Sequence, residues 1–299
     1  GAQGSFRLLG GNAVSIEAIG GDELLFDDGR SRGQPFVCIR TAPLREASFT
    51  MTGHLVEQTK LPSTSADDYW REVTSGVRVA PDAAAPVRHF AEILPWFAHN
   101  ALIHFLAPRG LEQYSGGGWG TRDVTQGPVE MLLALGRLEP VRDLLLRVFA
   151  NQNPDGDWPQ WFMFFDRERT IRPGDSHGDI VFWPLLAFGQ YLLASGDSAL
   201  LDERVPFFHA EPDKAESVSL FEHIERAFKV IETRVIAGTH LAAYGHGDWN
   251  DSLQPLNPAM RERLCSAWTV TLHYQMLTTL AQALGRIGQA EQAGVLERW

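Results

Sequence analysis

The run Tyr244-Gly245-His246-Gly247-Asp248-Trp249-Asn250-Asp251 sets two carboxylates three residues apart around a tryptophan in a glycine-rich turn. These are the groups a sugar site needs. An indole stacks on the apolar face of a pyranose, a carboxylate grips hydroxyls or delivers a proton, and glycines let the backbone come close. The same vocabulary recurs in Gly117-Gly118-Trp119-Gly120-Thr121-Arg122-Asp123 and in Asp155-Gly156-Asp157-Trp158-Pro159-Gln160-Trp161. Three such loops in one chain point to carbohydrate chemistry more firmly than one would.

Each motif also has a plainer reading. Asp248 and Asp251 suit helix capping, with Pro255 and Pro258 just downstream, although Trp249 is a costly residue for a simple turn. Arg122 and Asp123 are either a surface pair of little energetic value or a clamp that donates to one sugar hydroxyl and accepts from its neighbour. Asp157, Gln160 and Trp161 read as sugar contacts or as part of a packed aromatic cluster. The segment Asn151 to Asp157 mimics the start of a calcium loop, but Phe162 stands where a bidentate Glu is required, so calcium is rejected. His177 opens a helix beside Gly178 and Asp179, a position more often structural than catalytic, and no histidine spacing suits a metal. Trp96, His99 and His104 read as core packing, and Ser115-Gly116-Gly117-Gly118 lacks the Lys-Ser/Thr ending of a phosphate loop.

The elements that must position these loops follow from the pattern of the chain. Its 299 residues, 44% hydrophobic, suffice for a large core. A net charge of -11 argues against nucleic acid as a partner and suits a neutral ligand. Cys38 and Cys265 form no metal or redox spacing and read as reduced thiols of a cytoplasmic protein. No apolar run reaches membrane-spanning length, so a membrane enters only if the chain belongs to a larger synthase. A start at Gly1 and a stop at Trp299 inside a helical pattern suggest a piece of a longer polypeptide.

Residues 1–65, with short alternating runs around Asp27-Asp28-Gly29-Arg30, read as the β-rich tail of a β-sandwich-like domain. A linker helix and a Pro/Ala break fill 66–86, and 87–299 read as a mainly α domain. Its helices are expected at about 87–106, 126–138, 140–151, 178–195, 217–237 and 259–286, with another from about 289. The long loops rich in Gly, Trp and Asp follow the first, third and fifth of these. Alternate links in an antiparallel helix array fall at one end, so all three loops should converge on one face. An (α/α)6 toroid has that arrangement, although only about seven of its twelve helices are read here.

At these residues the chain resembles the inverting oligosaccharide phosphorylases of glycoside hydrolase family 94, which include cellobiose and chitobiose phosphorylases and the phosphorylase-like part of cyclic β-1,2-glucan synthases. The resemblance rests on Trp119 to Gln126, Asp155 to Gln160, His177-Gly178-Asp179 with Trp183, and above all Gly247-Asp248-Trp249-Asn250-Asp251. It spans about 87–286. It implies that Asp251 is the general acid, Trp249 the stacking indole, and Arg122 with Asp123 the sugar-binding pair; Asp157, Gln160, Trp161, His177 and Asp248 are expected, from the residues themselves, as further substrate contacts. It further implies a β-glucan or oligosaccharide substrate, inorganic phosphate as co-substrate, no other cofactor and no metal, and it allows a homodimer. The expected product is α-glucose 1-phosphate.

Gly127-Pro128 replaces an Asp common in the family, and the family's phosphate motifs lie further towards the C terminus, so the sequence alone is expected to be inactive. Asp248 beside Asp251 is expected to help keep the acid protonated. Two rivals remain open: a hydrolase on the same barrel, with Asp123, Asp157 or Asp179 as base, and a non-catalytic glucan-binding module of a synthase.

Overall fold

The computed structural model describes residues 2–9, 16–34, 36–43, 48–55, 65–74, 82–106, 112–113, 118–251 and 253–299. Readings on residues 14–15, on the Pro/Ala break at 80–81, on the glycine run at 115–117 and on the side chain of His104 lie outside them. The chain divides into two compact units, residues 1–65 and 66–299.

In the first unit β1 (Ala2–Leu9) pairs antiparallel with β4 (Ser48–Leu55), and β2 (Ile16–Gly20) with β3 (Cys38–Thr41). Asp22 is the polar anchor between β2 and β3. Its buried carboxylate accepts from the Ser31 hydroxyl and from the amides of Arg32 and Gln34. Those donors hold it below the usual carboxylate range against the opposing effect of burial.

The second unit is mainly α. Its helices are α1 (Ala66–Thr74), α2 (Ala85–Leu106), α3 (Thr121–Thr125), α4 (Gly127–Ala134), α5 (Leu138–Phe149), α6 (Phe182–Ser195), α7 (Leu220–Thr233), α8 (Ala267–Arg286) and α9 (Ala290–Glu297). The core centres on α6, which is apolar on almost every face and buries Phe182, Trp183, Leu185, Leu186, Phe188 and Leu192. Pro184 is tolerated because it sits in the first turn, where the N–H it lacks would have no intrahelical carbonyl to donate to, and Gly196 at φ 69° closes the helix in the left-handed region. Gly189 lets α8 lie against α6, since a Cβ there would stand 3.2 Å from the Leu280 Cα.

Several boundaries differ from the sequence expectation. The helix expected from 259 begins at Ala267, because Asn257 caps only a 3-10 turn at Pro258–Met260 while Ser266 accepts from the Thr269 amide and starts α8. The helix expected from 217 begins at Leu220, capped by Ser219. Residues 217–219, expected as the start of that helix, instead form β9, paired antiparallel with β8 (Arg204–Pro206). Trp96 is 70% exposed on α2 and so does not belong to the core; His99 instead packs on Trp70 with ring centroids 4.3 Å apart.

His273 on α8 stacks on Phe182 at 4.7 Å, and its Nε2 is buried without a partner. Burial alone pushes its pKa down to about 4, so the native state holds a neutral imidazole that the unfolded chain protonates. A depressed pKa contributes stability that is present above the ordinary histidine value and is lost as pH falls from 6.5 towards about 4. The expected loss is roughly 3 kcal/mol. His273→Leu should therefore flatten the acid limb of a denaturant-midpoint profile across that range, and an unchanged limb would show that other groups govern it.

Candidate active site

Three loops are stitched together by short backbone pairings. β6 (Gly118–Gly120) lies between β5 (Glu112–Gln113) and β7 (Trp161–Met163), and Gly120 pairs with Trp161. The Thr121 amide donates to the Gln160 carbonyl at 3.0 Å and its hydroxyl to the Pro159 carbonyl at 2.6 Å. On the other side the Gly178 amide donates to the Gly247 carbonyl at 2.9 Å. That approach demands glycine, since a Cβ on Gly178 would fall 2.5 Å from the Tyr244 carbonyl oxygen.

Arg122 is the hub. Its side chain is 7% exposed, and its Nη2 donates to Asp251 Oδ1 at 2.8 Å. Nη1 reaches the Asp248 carbonyl at 3.1 Å and Asp179 Oδ2 at 3.3 Å. Burial opposes its charge, but Asp251 and Asp179 more than compensate and raise its pKa. One guanidinium thus ties α3 to the segment before α6 and to the Asp248–Asp251 turn. The Arg122 guanidinium is engaged with Asp251, Asp179 and the Asp248 carbonyl, while the Asp123 carboxylate lies over Gly120, where a Cβ would sit 1.8 Å from Oδ2.

Asp251 keeps a 63% exposed side chain although its Oδ1 is held by Arg122 and, at 3.1 Å, by His177 Nδ1. The His177 backbone amide donates to Gln160 Oε1 at 2.9 Å, and its ring meets the Asp248 carbonyl at 3.2 Å. Gln160, Trp161, Ser176, His177, His246 and Gln254 line a hollow of about 210 Å3, together with Pro173 and Asp175. Trp249 is 52% exposed and packs against Trp268, itself 47% exposed, with ring centroids 5.2 Å apart.

Two candidate residues serve the chain itself. Asp248 is buried, and its carboxylate accepts from Ser266 Oγ, from Thr269 Oγ1 at 3.5 Å and from the Asn250 amide at 3.0 Å. It secures the start of α8, and it faces that helix rather than Asp251 through its carboxylate. Asp157 accepts from Arg234 Nη2 at 2.5 Å, from Ser176 Oγ at 3.1 Å and from the Trp158 amide at 2.8 Å.

Sequence reasoning missed the weight of Asp179. Its side chain is 0% exposed, Oδ2 accepts from Trp183 Nε1 at 2.9 Å and from Arg122, and Oδ1 has no partner. Burial raises its pKa, with Trp183 and Arg122 pulling the other way. Its i,i+4 spacing to Trp183 was the only local signal. Among the described residues no group of three or more His, Cys, Asp or Glu side chains is placed to hold a metal ion, and no helix is long and apolar enough to cross a membrane.

A sequence profile of the glycosyl hydrolase 94 superfamily, catalytic domain, matches residues 69–297. The chain belongs to this family. Among curated members, a 1,2-beta-oligoglucan phosphorylase of Listeria innocua serovar 6a is 50% identical over 192 residues, covering 63% of this chain and 18% of that protein. The cyclic beta-(1,2)-glucan synthase NdvB of Rhizobium meliloti is 26% identical over 215 residues, covering 65% of this chain and 7% of that protein. The matched part of the chain therefore covers less than a fifth of the length of either relative. Within the glycosyl hydrolase 94 domain the matched range contains every candidate residue named above.

Proposed function

We propose that the polypeptide carrying this sequence is an inverting phosphorylase of β-1,2-linked gluco-oligosaccharides, with Asp251 as its general acid. The observation that carries the reading is an exposed carboxylate with one oxygen fixed by Arg122 and by His177, a residue that also lines a Trp-bearing hollow. The name of the Listeria innocua relative supplies the linkage and the class of reaction.

In the proposed reaction a phosphate oxygen attacks the anomeric carbon from the face opposite the leaving group. The glycosidic C–O bond breaks, and the proton on Asp251 Oδ2 passes to the departing oxygen. The products are α-glucose 1-phosphate and a shortened glucan, and Asp251 is left as a carboxylate that regains its proton from solvent. Inorganic phosphate is the co-substrate. The hollow bounded by Gln160, Trp161 and His177 offers room on the scale of one sugar ring, and Asp123 supplies an acceptor for hydroxyls. Arg122 positions the acid, while Asp157 and Asp248 act through the loops they brace.

A hydrolase needs a second carboxylate with access to water. Asp179 is sealed from solvent, Asp157 is committed to Arg234 and Ser176, and Asp123 is assigned to sugar hydroxyls, so the choice of phosphate over water as nucleophile follows the name of the Listeria innocua relative. We read the helical unit as part of an (α/α)6 toroid, supported by the meeting of its alternate loops, and the strand pairs of residues 1–65 as belonging to a β-sandwich-type domain. Two free thiols suit a cytoplasmic setting.

Trp249→Ala tests the platform. Loss of stacking should weaken glucan binding by about 0.5 to 1.5 kcal/mol beyond the lost area. Calorimetry with a β-1,2-oligoglucan reads this directly, and unchanged affinity would assign the indole to packing against Trp268.

A further inference from the structure

The guanidinium that fixes Asp251 also works against it. Arg122 Nη2 stands 2.8 Å from Asp251 Oδ1, and a cation so placed favours loss of the proton from the carboxyl group it touches. A general acid, the role proposed above for Asp251 and the reading on which this inference rests, has to keep that proton until the leaving oxygen takes it. A negative charge must therefore offset the guanidinium.

The charged neighbours narrow the choice. His177 Nδ1 lies 3.1 Å from Asp251 Oδ1 and 3.2 Å from the Asp248 carbonyl. A carbonyl oxygen only accepts, so Nδ1 carries a proton and His177 brings no negative charge. Asp248 is the nearest carboxylate in sequence, but only its backbone carbonyl meets Arg122, at 3.1 Å. Its side chain is turned to Ser266, Thr269 and the Asn250 amide, with the Tyr244 hydroxyl 3.5 Å away. Asp123 lies over Gly120, and Asp157 is paired with Arg234. Asp179 is left: its Oδ2 accepts at 3.3 Å from Arg122 Nη1, the other arm of the fork that holds Asp251.

The bonding of Asp179 favours its anion. Oδ2 receives two donors, Arg122 Nη1 and Trp183 Nε1 at 2.9 Å, while a hydroxyl on Oδ1 would find no acceptor, because that atom is buried without a partner. Burial raises the pKa of the group, and Trp183 and Arg122 pull it back. The Asp179 side chain is 0% exposed and that of Arg122 7%, so little water screens the pair and its charges act at short range in a poorly polarisable setting.

We propose that Asp179 is a positioning residue for the acid: its carboxylate offsets the charge of Arg122 from the buried side, so that the guanidinium fixes Asp251 Oδ1 without drawing off the proton. The like charge that the sequence placed at Asp248 is thus supplied by Asp179.

The test compares the polypeptide carrying this sequence with its Asp179→Asn and Asp179→Ser variants across pH, by two readouts. The first is labelling of Asp251 by a carbodiimide with glycine ethyl ester, quantified by mass spectrometry, which needs the protonated carboxyl group but no turnover. The second is glucose 1-phosphate formed from a β-1,2-oligoglucan and inorganic phosphate. Both should decline with rising pH at a midpoint about one unit lower in the variants, a loss of roughly tenfold at a fixed pH above it. Asn keeps the shape and an acceptor for Trp183 and Arg122, whereas Ser is smaller, so equal shifts in two variants of native circular dichroism mark charge rather than packing. Asp248→Asn, whose side chain faces α8, should leave the labelling midpoint in place. An unmoved midpoint in a folded Asp179 variant, a shift to higher pH, or an equal shift in Asp248→Asn would each overturn the assignment. A shifted labelling midpoint with no glucose 1-phosphate from the wild type would uphold the role of Asp179 and remove the phosphorylase reading.

Discussion

Asp251→Asn should reduce turnover by about 10² to 10⁴ while leaving glucan affinity nearly unchanged. The amide keeps the shape of the side chain, and it still accepts from Arg122 and His177 through its carbonyl oxygen. What it lacks is a proton to give the leaving oxygen. Substrates with leaving groups that need no protonation should lose much less, and that contrast separates loss of acid catalysis from general damage to the site. A variant that keeps more than about a tenth of wild-type turnover on the glucan would remove Asp251 from the role.

Arg122→Met should be among the most destabilising single changes in the helical unit. Arg122 and Asp179 are both shut away from water, and each compensates the other's charge. Removing the guanidinium leaves Asp179 as an unpaired buried carboxylate whose pKa is already raised by burial, and breaking such a pair costs about 3 to 5 kcal/mol. The penalty is carried by the ionised form. A raised carboxylate pKa means stability that is full below the unfolded value near 3.8 and is lost as pH rises through the folded value, so the deficit of the variant should shrink on acidification. Thermal unfolding followed by circular dichroism at neutral and at acidic pH checks both. A variant that melts with the wild type at neutral pH would show that Asp179 is neutral or solvated there. Activity should fall as well, because the same change leaves Asp251 Oδ1 and the Asp248 carbonyl held by His177 without Arg122.

The meeting of the three loops was legible because it depends on counting links in an antiparallel array, and long amphipathic segments such as Leu138–Phe149 declare themselves by period. The starts of α7 and α8 were not. Asn257 and Ser266 both carry capping signals, and only packing of the helix against α6 selects Ser266. β8 and β9 are three residues each, too short for an alternating pattern to stand out from a loop. The motif residues were found by type, but their division of labour was hidden. Nothing local distinguishes Asp248, which faces Ser266 and Thr269, from Asp251, which faces solvent. Asp179 was hidden for the same reason: its partner Arg122 lies 57 residues away in sequence.

The central claim is phosphorolysis at the Asp251 site, and the most direct measurement is glucose 1-phosphate released from a β-1,2-oligoglucan by the polypeptide carrying this sequence, with and without inorganic phosphate. The account predicts α-glucose 1-phosphate that forms only with phosphate and disappears in Asp251→Asn. Free glucose released at the same rate without phosphate would contradict it and make the enzyme a hydrolase.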